Sequence, residues 1–111
     1  MERLLIVKNK ILVGLDGVAL KNNEPGRTEE DLTVAKVLVN CCLTPPAAGA
    51  QPYSGAKTIA RYEGAVRLSR AAADEDVELP LDLVVDLKND VLRLYAPIIG
   101  GQLLPILEGQ N

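Results

Sequence analysis

Side chains able to do chemistry are scarce in this chain, and the most conspicuous are two adjacent thiols, Cys41 and Cys42, in the run VLVNCCLTPP from Val37 to Pro46. Neighbouring cysteines rarely bridge each other, because the small ring they would close is strained relative to ordinary disulfide geometry. A metal site needs spaced soft ligands, and with no His and only these two Cys the chain has no third or fourth one. The missing His also removes the usual base that activates a thiol nucleophile. Free Cys otherwise behaves as a small buried hydrophobe. The pair therefore reads as core filler in a reducing compartment.

Three further patterns could carry chemistry. Asp82, Asp86 and Asp90 recur every four residues, which stacks like charges on one helix face at a cost of about 0.2–0.5 kcal/mol per pair. Such a row could bind Mg²⁺ weakly, simply face solvent, or dock on a basic partner. Docking is the functional reading adopted for these three residues. Lys57, Arg61, Arg67 and Arg70 give the region 55–73 a basic side, suited to pairing with the acidic helix, touching a partner or facing water. Gly100-Gly101 in IIGGQ could cradle phosphate only at a strand-to-helix turn. Here they fall inside a helical pattern, where close packing or a flexible joint is the plainer reading. With no His, no P-loop, no G-x-S-x-G and no spaced cysteine motif, nucleophilic and zinc catalysis lack their parts. The expectation is a non-enzyme with no cofactor and no metal.

The elements that must position these residues are legible in outline. ILVGLDGVAL, Ile11 to Leu20, predicts a hairpin around a two-residue Asp16-Gly17 turn, Gly17 at positive φ. In that register Leu15 faces Val18 and Val13 faces Leu20, and these four share a face with Ile11. Leu12, Gly14, Ala19 and Lys21 fall on the other. Arg3 to Val7 extends this strand or adds a third, giving β structure over about 3–22. Asn22 to Asp31 forms a polar link holding Pro25-Gly26. Four helices follow, at about 34–43 (capped by Thr33), 55–73 (capped by Ser54), 80–95 and 97–108. Acidic Glu29, Glu30 and Asp31 lie just outside the first helix's positive end. Ile59, Tyr62, Ala65, Val66, Ser69 and Ala72 form the expected buried face of the second helix. Between the first two helices runs a connector rich in Pro, Gly and Ala, and Val77 to Leu79 suggests a short extended piece. Pro105 predicts a kink in the last helix. The fold class is thus α+β, an N-terminal antiparallel β-hairpin packed on a compact bundle of three to four helices in one domain, 1–111.

Composition narrows the partners. Hydrophobic residues make up 48% of 111 positions, too many for a disordered chain and enough for one core. Trp and Phe are absent and Tyr occurs three times, so stacking on nucleic-acid bases is nearly excluded. A net charge of -3 argues against direct binding to nucleic acid or an anionic membrane. The apolar start MERLLIVKNKILVGL is broken by Glu2, Lys8, Asn9 and Lys10, short of a membrane span and unlike a signal peptide. A cytoplasmic location is expected.

The order of these pieces resembles a loose group of small accessory proteins of tailed phages and prophages, mostly uncharacterised. The resemblance lies in LDG at Leu15 to Gly17, in the Thr33-led helix TVAKVLVNCCL, and in VELPLDLVVDLKNDV followed by YAPIIGGQLLPILEG. In that group the equivalent of Pro80 is more often Ser or Thr, and the connector is usually shorter. The resemblance supplies no catalytic residues. It implies an accessory protein that binds a host or phage protein, for example to inhibit host defence or redirect host machinery. The alternative is a structural role as a minor virion component or tail-assembly chaperone. A protein partner is expected in either case, and homo-oligomerisation is left open.

Overall fold

A computed structural model describes residues 3–21, 26 and 30–109. The polar link at 22–29 therefore lies, apart from Gly26, outside the described residues. The architecture is α+β, an antiparallel strand pair packed on four helices. In chain order these are β1 (Leu4–Lys8), α1 (Val34–Leu43), α2 (Gly55–Ser69), β2 (Asp76–Pro80), α3 (Leu81–Leu94) and α4 (Pro97–Leu107).

The sheet joins distant segments. β1 pairs with β2, Leu4 opposite Pro80 and Lys8 opposite Asp76, so the extended piece expected at 77–79 is the second strand. Alternation sorts the side chains: Val7, Val77 and Leu79 are buried against the helices, while Leu4 and Ile6 face outward, about half exposed. Along the inner face α3 crosses both strands, with α2 beside β2 and α4 beside β1.

The segment from Ile11 to Lys21 does turn at Asp16-Gly17, and Gly17 has φ +81°. Its register departs from expectation. The loop has three residues, Leu15 to Gly17, closed by Gly14 N–H to Val18 C=O at 2.9 Å and Gly17 N–H to Gly14 C=O at 2.9 Å. Asp16 Oδ1 accepts from Val18 N–H at 3.0 Å, which favours the longer loop. Val13 consequently bridges Ala19 rather than facing Leu20. A slip of one residue exchanges the two faces. Leu12 is therefore buried, whereas Leu15 is 99% exposed and Val18 63%. The hairpin is held by a ring of backbone bonds, Leu12 to Leu32, Leu32 to Leu20 and Leu20 to Leu12, each donor N–H within 2.9 Å of its acceptor. Gln102 of α4 adds a two-point clamp on Val13, accepting from its N–H at 3.0 Å and donating to its C=O at 2.8 Å.

Helix ends are closed by specific groups. At the start of α1, Val34 N–H donates to Lys10 C=O, Ala35 N–H to the Asn9 side chain, and Lys36 N–H to Thr33 Oγ1. Asn9 is 3% exposed and also donates to the Ala71 and Ala72 carbonyls. One buried amide thus ties the end of β1 to the start of α1 and the chain leaving α2. Pro80 offers α3 no side-chain cap; the Arg3 carbonyl accepts from Leu81 N–H at 2.9 Å instead. Helix α4 continues through Pro105 to Leu107. Gly100-Gly101 lie within it, Gly100 buried with Val91 Cγ1 3.8 Å from where a Cβ would sit. They form no phosphate loop.

Candidate functional site

The polar centre of the molecule is Arg61, on α2, with its side chain 3% exposed. Helix α2 presents Arg61, Gly64, Ala65 and Leu68 to the interior. This corrects the expected face: Ile59 is 60% exposed and Tyr62 64%, while Ser69 and Ala72 are also exposed. The reason lies in two residues. At Gly64 a Cβ would come within 2.5 Å of Leu83 Cδ2, so any larger residue here would force the Leu83 side chain to move, and glycine lets α2 pack close to α3. Arg61 then enters a space where carbonyls and a carboxylate await a cation.

Its guanidinium satisfies three elements at once. Nη2 donates to Cys41 C=O at 2.7 Å and Nε to Cys42 C=O at 3.3 Å. These carbonyls belong to the last turn of α1, where the helix runs out of amides: among the described residues Cys41 C=O has only the cap amide of Thr44, at 3.2 Å, besides Arg61. Nη2 also donates to Asp90 Oδ2 of α3 in a short, buried ion pair. Above the guanidinium lies Tyr53 of the connector, its ring centroid 4.4 Å from Cζ, and Tyr53 Oη donates to Thr44 C=O at 3.3 Å. Arg93 approaches the other carboxylate oxygen at 3.4 Å. Burial opposes the charge on Arg61, but hydrogen bonding to Asp90 and the Asp90 charge outweigh it, holding its pKa above the usual value. Arg61 remains cationic throughout the working pH range.

The expected aspartate row is thereby divided. Asp90 is buried beneath Arg61 and does not face solvent with the others, because the inward turn of α2 gives it a buried counter-ion. Asp86 is half-buried and pairs with Lys57 at 3.3 Å. Asp82 is exposed and has no ion-pair partner among the described residues. On the basic side, Arg67 donates to Glu78 C=O at 3.2 Å and Arg70 is exposed. The basic and acidic helices therefore meet within the molecule, through Lys57–Asp86 and Arg61–Asp90. Arg61 was legible as charged; what betrays its burial is the small pair Gly64-Ala65 three and four positions on, with Leu68 seven positions on along the same face.

The thiols are both buried, and burial is the main reason their pKa values are raised, Cys41 to about 12 and Cys42 to about 11, from an ordinary 9.0. The Asp90 charge adds to the rise in each, and Arg61 offsets part of it. Their sulfurs are neutral at pH 7. Among the described residues no three of His, Cys, Asp or Glu come together as metal ligands. No helix among them is long and apolar enough to cross a membrane.

Beside the Arg61 cluster lies a groove of about 360 Å³ between the end of α1, the connector and α2, whose walls include Leu43, Pro45, Pro46, Tyr53 and Tyr62. Leu43 is 61% exposed, and Ile59 lies one turn from Tyr62 on the same side of α2. Leu43 and Tyr62 form the mouth of an apolar depression, and Ile59 extends the exposed apolar surface along α2 beside it. Compared with family models, curated proteins and solved structures, the chain matches none.

Proposed function

We propose that this chain is a non-catalytic accessory protein that binds a protein partner, host or phage as its sequence resemblance implies, in the cytoplasm. The observation that carries the reading is the groove beside Arg61, with Leu43 and Tyr62 each more than 60% exposed in its walls and Ile59, 60% exposed, one turn from Tyr62 on α2. Scattered exposed apolar residues need no explanation, but a clustered set beside a concavity marks a surface that loses free energy in water until something apolar covers it. The polar side chains nearest this groove are committed to structure: Arg61 to carbonyls and Asp90, Tyr53 to Thr44. An apolar side chain of a partner fits the depression, with Asp82 and Asp86 on α3 remaining as acidic contacts that would hasten encounter with a basic surface.

The test is affinity capture from host cells with a photo-crosslinking residue at position 62, compared with Ile59→Asp and Tyr62→Asp. Both side chains are largely exposed, so the variants should melt within about 0.5 kcal/mol of the parent. The expected result is a discrete crosslinked protein that both variants lose. If the same protein is captured undiminished by both variants, the groove is not the binding surface. An arm with Asp82→Asn and Asp86→Asn should slow association at low salt while leaving the crosslink site unchanged.

A further inference from the structure

The two edges of the β1–β2 pair are treated differently. Asn9 N–H donates to Glu75 C=O and Leu81 N–H to Arg3 C=O, both at 2.9 Å. With the register of Leu5 opposite Leu79 and Val7 opposite Val77, the odd residues of β1 turn their backbone groups toward β2. Leu4, Ile6 and Lys8 turn theirs the other way. On the β2 edge Pro80 has no N–H to offer and Arg67 occupies the Glu78 carbonyl, two familiar ways of blunting an edge. Among the described residues the β1 edge has neither device. The Lys8 carbonyl accepts from Lys10 N–H, but among the described residues the N–H groups of Leu4, Ile6 and Lys8 and the carbonyls of Leu4 and Ile6 have no backbone partner. Helix α4 does not claim them: its end meets the inner face, where Leu5 Cδ1 lies 3.5 Å from the position of a Cβ on Gly109. Leu4 and Ile6 stand 50% and 51% exposed on the outer face.

We propose that β1 pairs with β1 of a second copy of this chain, antiparallel and centred on Ile6, to give a symmetric dimer with a four-stranded sheet, β2–β1–β1–β2. Backbone groups that point outward in rows demand an extended strand, and β1 is self-complementary in this role. About a two-fold axis at Ile6, each Ile6 meets its own copy, and each Leu4 meets Lys8 of the second copy. All three residues turn their backbone groups outward, so each opposed pair is of the hydrogen-bonded kind. The charges agree. The two Lys8 side chains lie two residues on either side of the axis, never opposite each other. Each stays beside Asp76 of its own chain, its register partner. The acidic Asp76 and Glu78 remain on the outer strands, away from the seam. On the outer face, Leu4 and Ile6 of both copies then form one continuous apolar strip, which the isolated two-stranded sheet leaves in water.

The experiment is sedimentation of the full chain over a wide concentration range, with amide exchange read by NMR. The expected result is a reversible monomer–dimer transition in which the amides of Leu4, Ile6 and Lys8 become protected with dimerisation, while those of Leu5 and Val7 are protected throughout. Ile6→Lys and Ile6→Glu each place like charges opposite each other at an outward position, so each alone should stay monomeric. Mixed one to one, they should recover the dimer as a heterodimer, an outcome that only pairing of position 6 with position 6 explains. Ile6→Pro removes an N–H that β2 does not use and should also remain monomeric, with its fold checked by circular dichroism. A parent chain that sediments as a monomer at every concentration overturns the proposal. So does a dimer that survives Ile6→Lys and Ile6→Pro, or edge amides protected only when a foreign partner is added. None of these readouts involves the Leu43–Tyr62 groove, so failure here leaves the proposed binding surface standing, and the reverse.

Discussion

Removing Arg61 should be among the most damaging single changes available to this fold, and its size can be worked from the contacts. In Arg61→Met the Asp90 carboxylate stays buried and, among the described residues, has only Arg93, 3.4 Å from its other oxygen, for charge compensation. The Cys41 and Cys42 carbonyls lose their side-chain donor at the same time. Breaking a buried pair from one side costs about 3–5 kcal/mol, against a total stability of about 5–15 kcal/mol for a domain of this kind. With an unfolding entropy of about 0.23 kcal/mol/K for this length, a loss of about 4 kcal/mol lowers the melting temperature by about 17 °C. Asp90→Asn keeps an acceptor for Arg61 and should cost less, about 1–3 kcal/mol. The decisive variant is Arg61→Met with Asp90→Leu. It removes both charges together, so it should be more stable than Arg61→Met alone, although the two carbonyls are still short of a donor. Thermal and urea melts on the parent, Arg61→Met, Asp90→Leu and the double variant give the coupling energy. If Arg61→Met costs under 1 kcal/mol, or the double variant is no more stable than it, Arg61 is a surface residue in practice and the account of α2 is wrong.

Three other outcomes follow from the same geometry. Gly17→Ala should destabilise by about 1–2 kcal/mol, since φ +81° is left-handed and no atom lies near enough to clash, leaving backbone strain as the cause; an unchanged melting temperature would contradict the turn. Asn9→Ala removes the partner of Ala35 N–H and of two carbonyls in a buried site, and should cost about 2–4 kcal/mol, with the amide of Ala35 exchanging faster than its neighbours in α1. Both thiols should resist iodoacetamide at pH 8 until urea unfolds the chain, and Cys41→Ala with Cys42→Ala should leave partner binding intact wherever the variant is folded. Because their folded pKa values lie above the ordinary 9.0, the thiols hold protons that the unfolded chain releases. Their contribution to stability is therefore complete below about pH 9 and declines as pH rises toward 11–12, a decline the double variant should lack.

Much of the fold could be read from local signals because the caps and breakers agree with the hydrophobic pattern. Thr33 and Ser54 accept from the amides three residues on, as N-caps should, and α1 spans Val34 to Leu43 as expected. Pro97 opens α4, and α3 differs from expectation by one residue at each end. Two things were hidden. One is the pairing of β1 with β2, separated by about seventy residues, which no local turn specifies. The other is the hairpin register, where Asp16 selects a three-residue loop through its own side chain, a choice that the Asp-Gly pair alone leaves open.

The deeper miss concerns α2, and its cause bears on the candidate site. Hydrophobic periodicity favours Ile59, Tyr62 and Val66 as the inward face, and in isolation that reading is sound. It fails because the interior is not uniformly apolar: the end of α1 brings two carbonyls able to accept from a side chain and α3 brings Asp90. Of the side chains on α2, only an arginine can reach all three with one planar fork. Turning the helix to satisfy them places the small Gly64 and Ala65 against α3 and α1, and it leaves Ile59 and Tyr62 facing water. The exposed apolar mouth is thus the counterpart of the buried ion pair. The same rotation that closes the polar centre creates the surface proposed to bind a partner. A chain in which Arg61 and Asp90 are both made apolar should accordingly release α2 toward the phase its hydrophobicity prefers. Tyr62 would then become less accessible, as measured by its fluorescence quenching with iodide, and the crosslink from position 62 would weaken even if the variant is folded. Retained quenching and a full-strength crosslink would show that close packing at Gly64 sets the helix phase without the ion pair.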